Sequence, residues 1–391
     1  MPRAATARRD AMEALHPSQA AALAFVEEVA LAKAAAVRRD LLRLLAELGL
    51  AADDYTAALA SIAAAAPIDV SFHPDRLDKT GETVVQSLHS SGRYKNQFES
   101  GISNGVVTAV EGGKRVLWEA RLFGGAYQQR GVAARYRPKY GALNLLGHWD
   151  GACPRFGSCY FRLKPHVARR CSFAFGDSAV APVDLGTIAS FDGVLAATLK
   201  AIHATGRALG GEDLEVGSFL KAVTRATRLA DALDFDGRPG RNLDDCIEVH
   251  IHGPLDLASD VACLVADGSF RPTETGDRLV ELSIGYGFDL HWTPGFFLST
   301  ADIPPDFRGP QMGPLAQHIA SDGLLDAVKI GAADRALKRN PEDWGAWGSF
   351  EETLQLLKQL WHVLATFGSV GKCRTRRDPA RKNAKDPSAG D

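Results

Sequence analysis

Ile247-Glu248-Val249-His250-Ile251-His252-Gly253-Pro254 alternates apolar and polar side chains, then stops at a Gly-Pro pair. Alternation with a period of two marks a β-strand. It sends Ile247, Val249 and Ile251 towards a core and puts Glu248, His250 and His252 together on the other face. Three titratable groups on one face of a strand that ends at a turn make a candidate site floor. A simple exposed strand face is the competing reading. The His-x-His pair also permits a metal ion. No further ligand stands at metal-ligand spacing nearby, so a catalytic glutamate with no metal is the preferred reading.

Working outward, short β-type runs at Ile68–Phe72, Val106–Val110 and Gly157–Leu163 lie between glycine-rich turns. Helical patterns interrupt them at 190–209 and 216–233. Strands and helices without a regular βαβ rhythm predict an α+β fold with a mixed or antiparallel sheet. Before the strands, residues 18–49 read as a helix, with Leu41, Leu44, Leu45 and Leu48 at helical spacing and Gly49 as its cap. Asp53 or Asp54 can cap a second helix that Pro67 ends. After the strands, residues 257–370 read as mostly helical. Ser349 and Glu352 predict a capping box for a broad apolar helix over 350–367, closed by Gly368. The chain thus divides into a helical N-terminal lobe with a disordered leader (1–66), a main domain (67–370) and a disordered basic tail (371–391).

Composition is that of an ordinary globular protein: 46% hydrophobic and 24% charged residues, with a net charge of −2. That charge argues against a nucleic-acid partner held by bulk electrostatics. No apolar run is long enough to span a membrane, and the N-terminus lacks the apolar core of a Sec signal. The six cysteines include no Cys-x-x-Cys pair, which argues against structural zinc, and they read as reduced thiols. The expected location is a cytoplasm, with export by a machine that reads a disordered leader left open.

Three further segments could do chemistry. In Ser71-Phe72-His73-Pro74-Asp75-Arg76, an arginine just past a strand end can hold a pyrophosphate with its planar fork, and His73 can orient a ribose hydroxyl. The other reading pairs Arg76 with Asp75 or Asp78 on a solvated turn. The run Gly92 to Gly105 is rich in glycines and polar groups, including Ser100, Ser103 and Asn104, and can approach phosphates closely. It matches neither a P-loop nor the Rossmann fingerprint, and it can equally be a long turn. In Arg155 to Leu163, alternation puts Ser158, Tyr160 and Arg162 on one side. The tyrosine can stack on a nicotinamide ring that the serine positions, or it can be half-buried core.

These segments, in this order, resemble the ADP-ribosyltransferase superfamily: an early strand with Arg or His, a middle strand or turn with Ser or Tyr, and a late strand with Glu. A closer similarity is to the bacterial CteC-like effector family. It is carried by SFHPDR (71–76), FESGISNG (98–105), RLFGGAY (121–127), RPKYGALN (137–144), RFGSCYF (155–161) and EVHIHGP (248–254), over roughly residues 68 to 365. The resemblance implies an NAD-dependent mono-ADP-ribosyltransferase toxin, in the bacterial cytoplasm or in a host cell's cytosol after export without a Sec signal, with threonine as acceptor, ubiquitin as target and blocked ubiquitination as the outcome. Arginine-directed members carry Glu-x-Glu on the late strand; here Cys246 stands two residues before Glu248. That departure fits a hydroxyl acceptor better than a guanidinium.

The resulting expectation gives Glu248 the electrostatic stabilisation of the ribose. Arg76 holds the pyrophosphate, and His73 or Ser100 the adjoining ribose. Ser158 and Tyr160 hold the nicotinamide, and His250 takes the acceptor's proton. Ser103 and Asn104 complete the candidate NAD-binding set. Three alternatives stay open: an NAD glycohydrolase, a non-catalytic protein-binding module, and a metal-dependent hydrolase using His250 and His252.

Overall fold

The computed structural model describes residues 15–103, 109–110, 112–178, 181–228 and 238–370. The leader before Leu15, the basic tail from 371, Asn104 and most of the expected strand at 106–110 lie outside them; Ala109 and Val110, which are described, are not in a strand.

The N-terminal helix α1 (Pro17–Glu47) starts on a capping box between His16 and Gln19, with Pro17 at its first position. Helix α2 (Ala52–Ala65) starts one residue before the expected caps. Asp53 and Asp54 lie in its first turn, where carboxylates complement the helix dipole. Then come β1 (Ile68–Phe72), α3 (Val84–Ser91), α4 (Gln97–Ser100), α5 (Lys114–Leu122), β2 (Lys139–Leu143), β3 (Cys159–Leu163), β4 (Cys171–Phe175), β5 (Leu185–Thr187), α6 (Asp192–Thr205) and α7 (Val216–Arg228). The late strand is β6 (Ile247–Ile251), followed by α8 (Leu257–Asp260), β7 (Val261–Ala266), α9 (Glu274–Tyr286), β8 (Asp289–Trp292) and β9 (Phe296–Ser299). The chain ends in α10 (Met312–Ile319), β10 (Leu324–Leu325), α11 (Ala327–Arg339), α12 (Phe350–Phe367) and β11 (Ser369–Val370). The Ser349–Glu352 capping box is present, and the Gly368 N–H bonds the Leu364 carbonyl.

Eight strands form one sheet in the order β5-β4-β6-β2-β1-β3-β7-β8, antiparallel except for the β7–β8 pair. The fold is α+β, with helices at both ends of the chain. The region after residue 257 is less helical than expected. Val261–Ala266 is a short continuous apolar run, which periodicity cannot assign to helix or strand, and it pairs with β3 inside the main sheet.

The registers give the sheet two unlike faces. Val70, Phe72, Phe161, Leu163, Phe173, Val249, Ile251 and Leu264 turn to one side and join the main core with side chains of α2, α6, α7, α11 and α12. Asp69 and Ser71 of β1, Tyr140 of β2, Tyr160 and Arg162 of β3, Ser172 of β4, and Glu248 and His250 of β6 turn to the other. This second face is polar yet buried. Its β4–β6 end is covered by Ala22 and Val26 of α1 and by Phe123 and Tyr127 after α5. Gly124 lets the two approach, since a Cβ there would meet the Phe25 ring at 2.5 Å.

Candidate active site

The site exists because two neighbouring strands part. β1 and β2 pair only at Ile68–Leu143 and Asp69–Ala142, whereas β1 stays paired with β3 from Asp69 to Phe72. Beyond Asp69 a cleft opens between β1 and β2. Its floor includes Ser71, Tyr140, Gly141, Cys246 and Glu248. Segments 93–97, with Ser100 and Ile102, wall one part, and Cys153, Arg155, Phe156, Asp177 and Ser178 another. It leaves about 140 Å³ to the centres of water-sized spheres, roughly ten times what one water requires.

Glu248 sits in this cleft, 7% exposed. Its Oε1 lies 2.7 Å from His250 Nε2, and its Oε2 accepts from the Ser178 hydroxyl at 3.4 Å. The chain of contacts continues behind it. Ser172 Oγ is 3.0 Å from both His250 Nδ1 and His252 Nε2, and Tyr127 Oη is 2.5 Å from His252 Nδ1. Burial first, and then the neighbouring His250, hold His252 well below the usual histidine range.

A second knot braces the cleft wall. Glu119 bonds the Arg137 guanidinium at 2.5 Å and accepts from Tyr140 Oη at 3.1 Å. Burial raises the Glu119 carboxyl above its ordinary range, opposed mainly by Arg137. Arg115 lies over the Tyr140 ring, 5.3 Å from its centroid. Lys139, bonded to the Gly253 carbonyl at 2.6 Å, is pushed down to about 8 by burial.

A neighbouring cavity of about 430 Å³, in the same measure, lies against α11 and α12. Its lining includes Arg76, Ser103, Lys338, Lys358 and Trp361. His73, Asp78, Ile102 and Arg155 line both cavities. Arg155 pairs with Asp244 through Nη1, while its buried Nε–H has no hydrogen-bond partner among the described residues.

The model of the family described as Protein of unknown function (DUF3626) matches residues 67–367. The chain belongs to this family. No curated protein matches it. The DUF3626 span contains every strand of the eight-stranded sheet and both cavities, and it excludes α1 and α2.

Within the DUF3626 span the candidate residues are only partly brought together. Glu248 and Ser100 line the cleft, although the Ser100 hydroxyl bonds the Asn96 carbonyl of its own helix. His73 stands on the wall between the cavities. Its Nδ1 faces the Ser158 hydroxyl at 3.1 Å and the Ser158 N–H at 3.3 Å. Its proton affinity is held well below the usual range by burial and by Arg76. Ser103 and Arg76 line the second cavity. The Arg76 guanidinium already meets Asp75 at 3.2 Å and Asp334 at 3.5 Å, and none of these three is solvated as a surface turn would be.

Two assignments are corrected. Tyr160 is not available to stack on a ligand. The 149–153 loop folds over it, its hydroxyl bonds the Trp149 carbonyl at 3.1 Å, and a Cβ at Gly151 would lie 3.0 Å from its ring. Asp69 helps to hold that loop by accepting from Asn144 and the Ala152 N–H. His250 does not face an acceptor. It lies behind Glu248 and is 1% exposed, with both ring nitrogens engaged. Because both nitrogens of His252 are engaged too, the His-x-His pair has no lone pair directed at a metal.

The sequence assigns no individual role to Arg155, Ser178, Ser172 or Tyr127. Tyr127 and Tyr140 stand inside the quoted RLFGGAY and RPKYGALN segments, but only the fold shows what they touch.

Proposed function

We propose that the chain moves ADP-ribose from NAD to a hydroxyl side chain of a protein. The observation that carries this reading is the Glu248 carboxylate, which lines the cleft between β1 and β2 with Oε1 fixed by His250 and Oε2 beside Ser178. Cleaving the nicotinamide–ribose bond sends the bonding pair to nicotinamide and leaves positive charge on the ribose, as in glycoside cleavage. A carboxylate already in position lowers that barrier without reorganising. An acceptor oxygen then bonds the ribose carbon, and its proton leaves to water.

The order of elements supports the resemblance: His73 and Arg76 follow the early strand β1, Ser158 precedes the middle strand β3, and Glu248 is on the late strand β6. The two adjoining cavities together suit a dinucleotide, with the nicotinamide end beside Glu248 and the phosphates at the shared boundary. There Arg155, which lines both cavities, adds positive charge, although its Nη1 pairs with Asp244. Arg76 adds positive charge to the second cavity, but it is already shared between two carboxylates. Cys246 lies in the cleft where arginine-directed enzymes carry a second carboxylate. Its thiol is held well above the usual range, first by a hydrogen bond with Cys153 and then by burial. It therefore cannot orient a guanidinium as an anion would, which favours a hydroxyl acceptor. Threonine as acceptor and ubiquitin as target rest on the family resemblance alone.

The test incubates the purified protein with NAD labelled in the adenylate half, with and without ubiquitin, beside Glu248→Gln. Label on ubiquitin that the variant fails to transfer supports the whole reading. Free ADP-ribose with no labelled protein replaces it with an NAD glycohydrolase. NAD neither bound nor consumed leaves a non-catalytic protein-binding module.

A further inference from the structure

We infer that Ser172, His252 and Tyr127 are positioning residues for Glu248, acting through one buried relay with a fixed order of protons. The catalytic part of this inference rests on the proposed role of Glu248; the proton order does not. The relay runs Glu248 Oε1, His250, Ser172 Oγ, His252, Tyr127 Oη, with successive separations of 2.7, 3.0, 3.0 and 2.5 Å. His250, Ser172, His252 and Tyr127 are each at most 1% exposed, so water cannot repair a mismatched link.

The donor inventory leaves one solution when both imidazoles are neutral. The carboxylate only accepts, so His250 carries its proton on Nε2. Its bare Nδ1 then accepts the Ser172 proton. The Ser172 oxygen must therefore accept from His252 Nε2–H, and the bare His252 Nδ1 accepts the Tyr127 proton. Each group behind Glu248 donates once and no proton is left over. Burial of His252 and Tyr127 favours their neutral forms, as this order requires. Reversing any link points two lone pairs or two protons at each other, or requires a charged His250.

The relay thereby fixes which carboxylate oxygen faces the ligand. Oε1 is held from behind, and Oε2 is left towards the cleft beside Ser178. The far end is held by packing, since Tyr127 shares an apolar cluster with Ala22 and Val26 of α1. The N-terminal helix, which lies outside the family span, thus supports the site from behind.

Two readouts test this. In ¹⁵N NMR of the histidine side chains, with His250→Gln and His252→Gln for assignment, both residues should be Nε2–H tautomers. A Nδ1–H tautomer at either, or a doubly protonated His250 at neutral pH, overturns the proton order. In NAD turnover, Tyr127→Phe and Ser172→Ala, checked as folded by their thermal midpoints, should lower kcat about 10- to 100-fold, the range for partners that orient a catalytic ligand. KM for NAD should stay within about twofold of wild type, because neither Ser172 nor Tyr127 lines the cleft that holds the dinucleotide. Unchanged kcat in folded Ser172→Ala, or a loss confined to KM, overturns the positioning role. If the wild-type protein neither binds nor cleaves NAD, the transferase reading fails, and the tautomers alone decide the relay.

Discussion

A Cβ placed on Gly141 would stand 2.7 Å from the Asp69 carbonyl oxygen, at the point where β1 and β2 part. The two backbones lie close there, and their pairing ends as the cleft begins. Gly141→Ala must push one strand away, at a cost of about 1–3 kcal/mol for overpacking. We expect a lower urea midpoint and weaker NAD binding together. An unchanged midpoint would mean that the strands separate without that close contact.

Glu248→Gln keeps the shape of the side chain and removes its charge. NAD affinity should persist while transfer falls by about 10²–10³, by analogy with a lost oxyanion-hole donor. Isothermal titration and label transfer read the two effects separately. Transfer at the wild-type rate would remove Glu248 from its role.

Arg155 and Arg76 should respond differently. Arg155→Lys replaces the planar guanidinium that lines both cavities with a point charge, so NAD should bind about tenfold or more weakly with little change in stability. Arg76→Met leaves Asp75 to Arg335 and Asp334 to Lys338, and should lower stability by less than about 3–5 kcal/mol, the cost of a fully orphaned buried charge. Equal effects on NAD affinity would contradict the assignment of the phosphates to Arg155.

His362 of α12 is 3% exposed, and neither ring nitrogen has a hydrogen-bond partner among the described residues. Burial, then the charges of Arg155 and Arg308, pushes its pKa down to about 3. Between the unfolded value of about 6.5 and that folded value, the unfolded chain holds a proton that the folded chain does not. Stability contributed by this site is therefore complete above pH 6.5 and falls on acidification, by about 1.4 kcal/mol per pH unit. His73 and His252 act in the same direction. Asp267, raised to about 6 by burial, opposes them between pH 6 and its unfolded value. His362→Leu should flatten the dependence of the denaturation midpoint on pH by one proton. An unaltered slope would show that His362 is not neutral in the folded state.

The sequence by itself determined the elements whose instructions are local. The alternation of Ile247 to Ile251 is a strand with Glu248 and His250 on one face, Ile68–Phe72 is a strand, and the Ser349–Glu352 box starts α12 where expected. Period and capping depend on residues a few positions apart, so they can be read along the chain. What those faces meet was decided only by tertiary structure. The polar side of β6 is buried because α1, the turn after α5 and the 149–153 loop lie across the sheet. Tyr160 is thereby covered, and His250 faces Ser172 across β4 and not an acceptor. The relay joins residues up to 125 positions apart. No local pattern encodes such a meeting; it follows from the strand order and from where β1 and β2 separate.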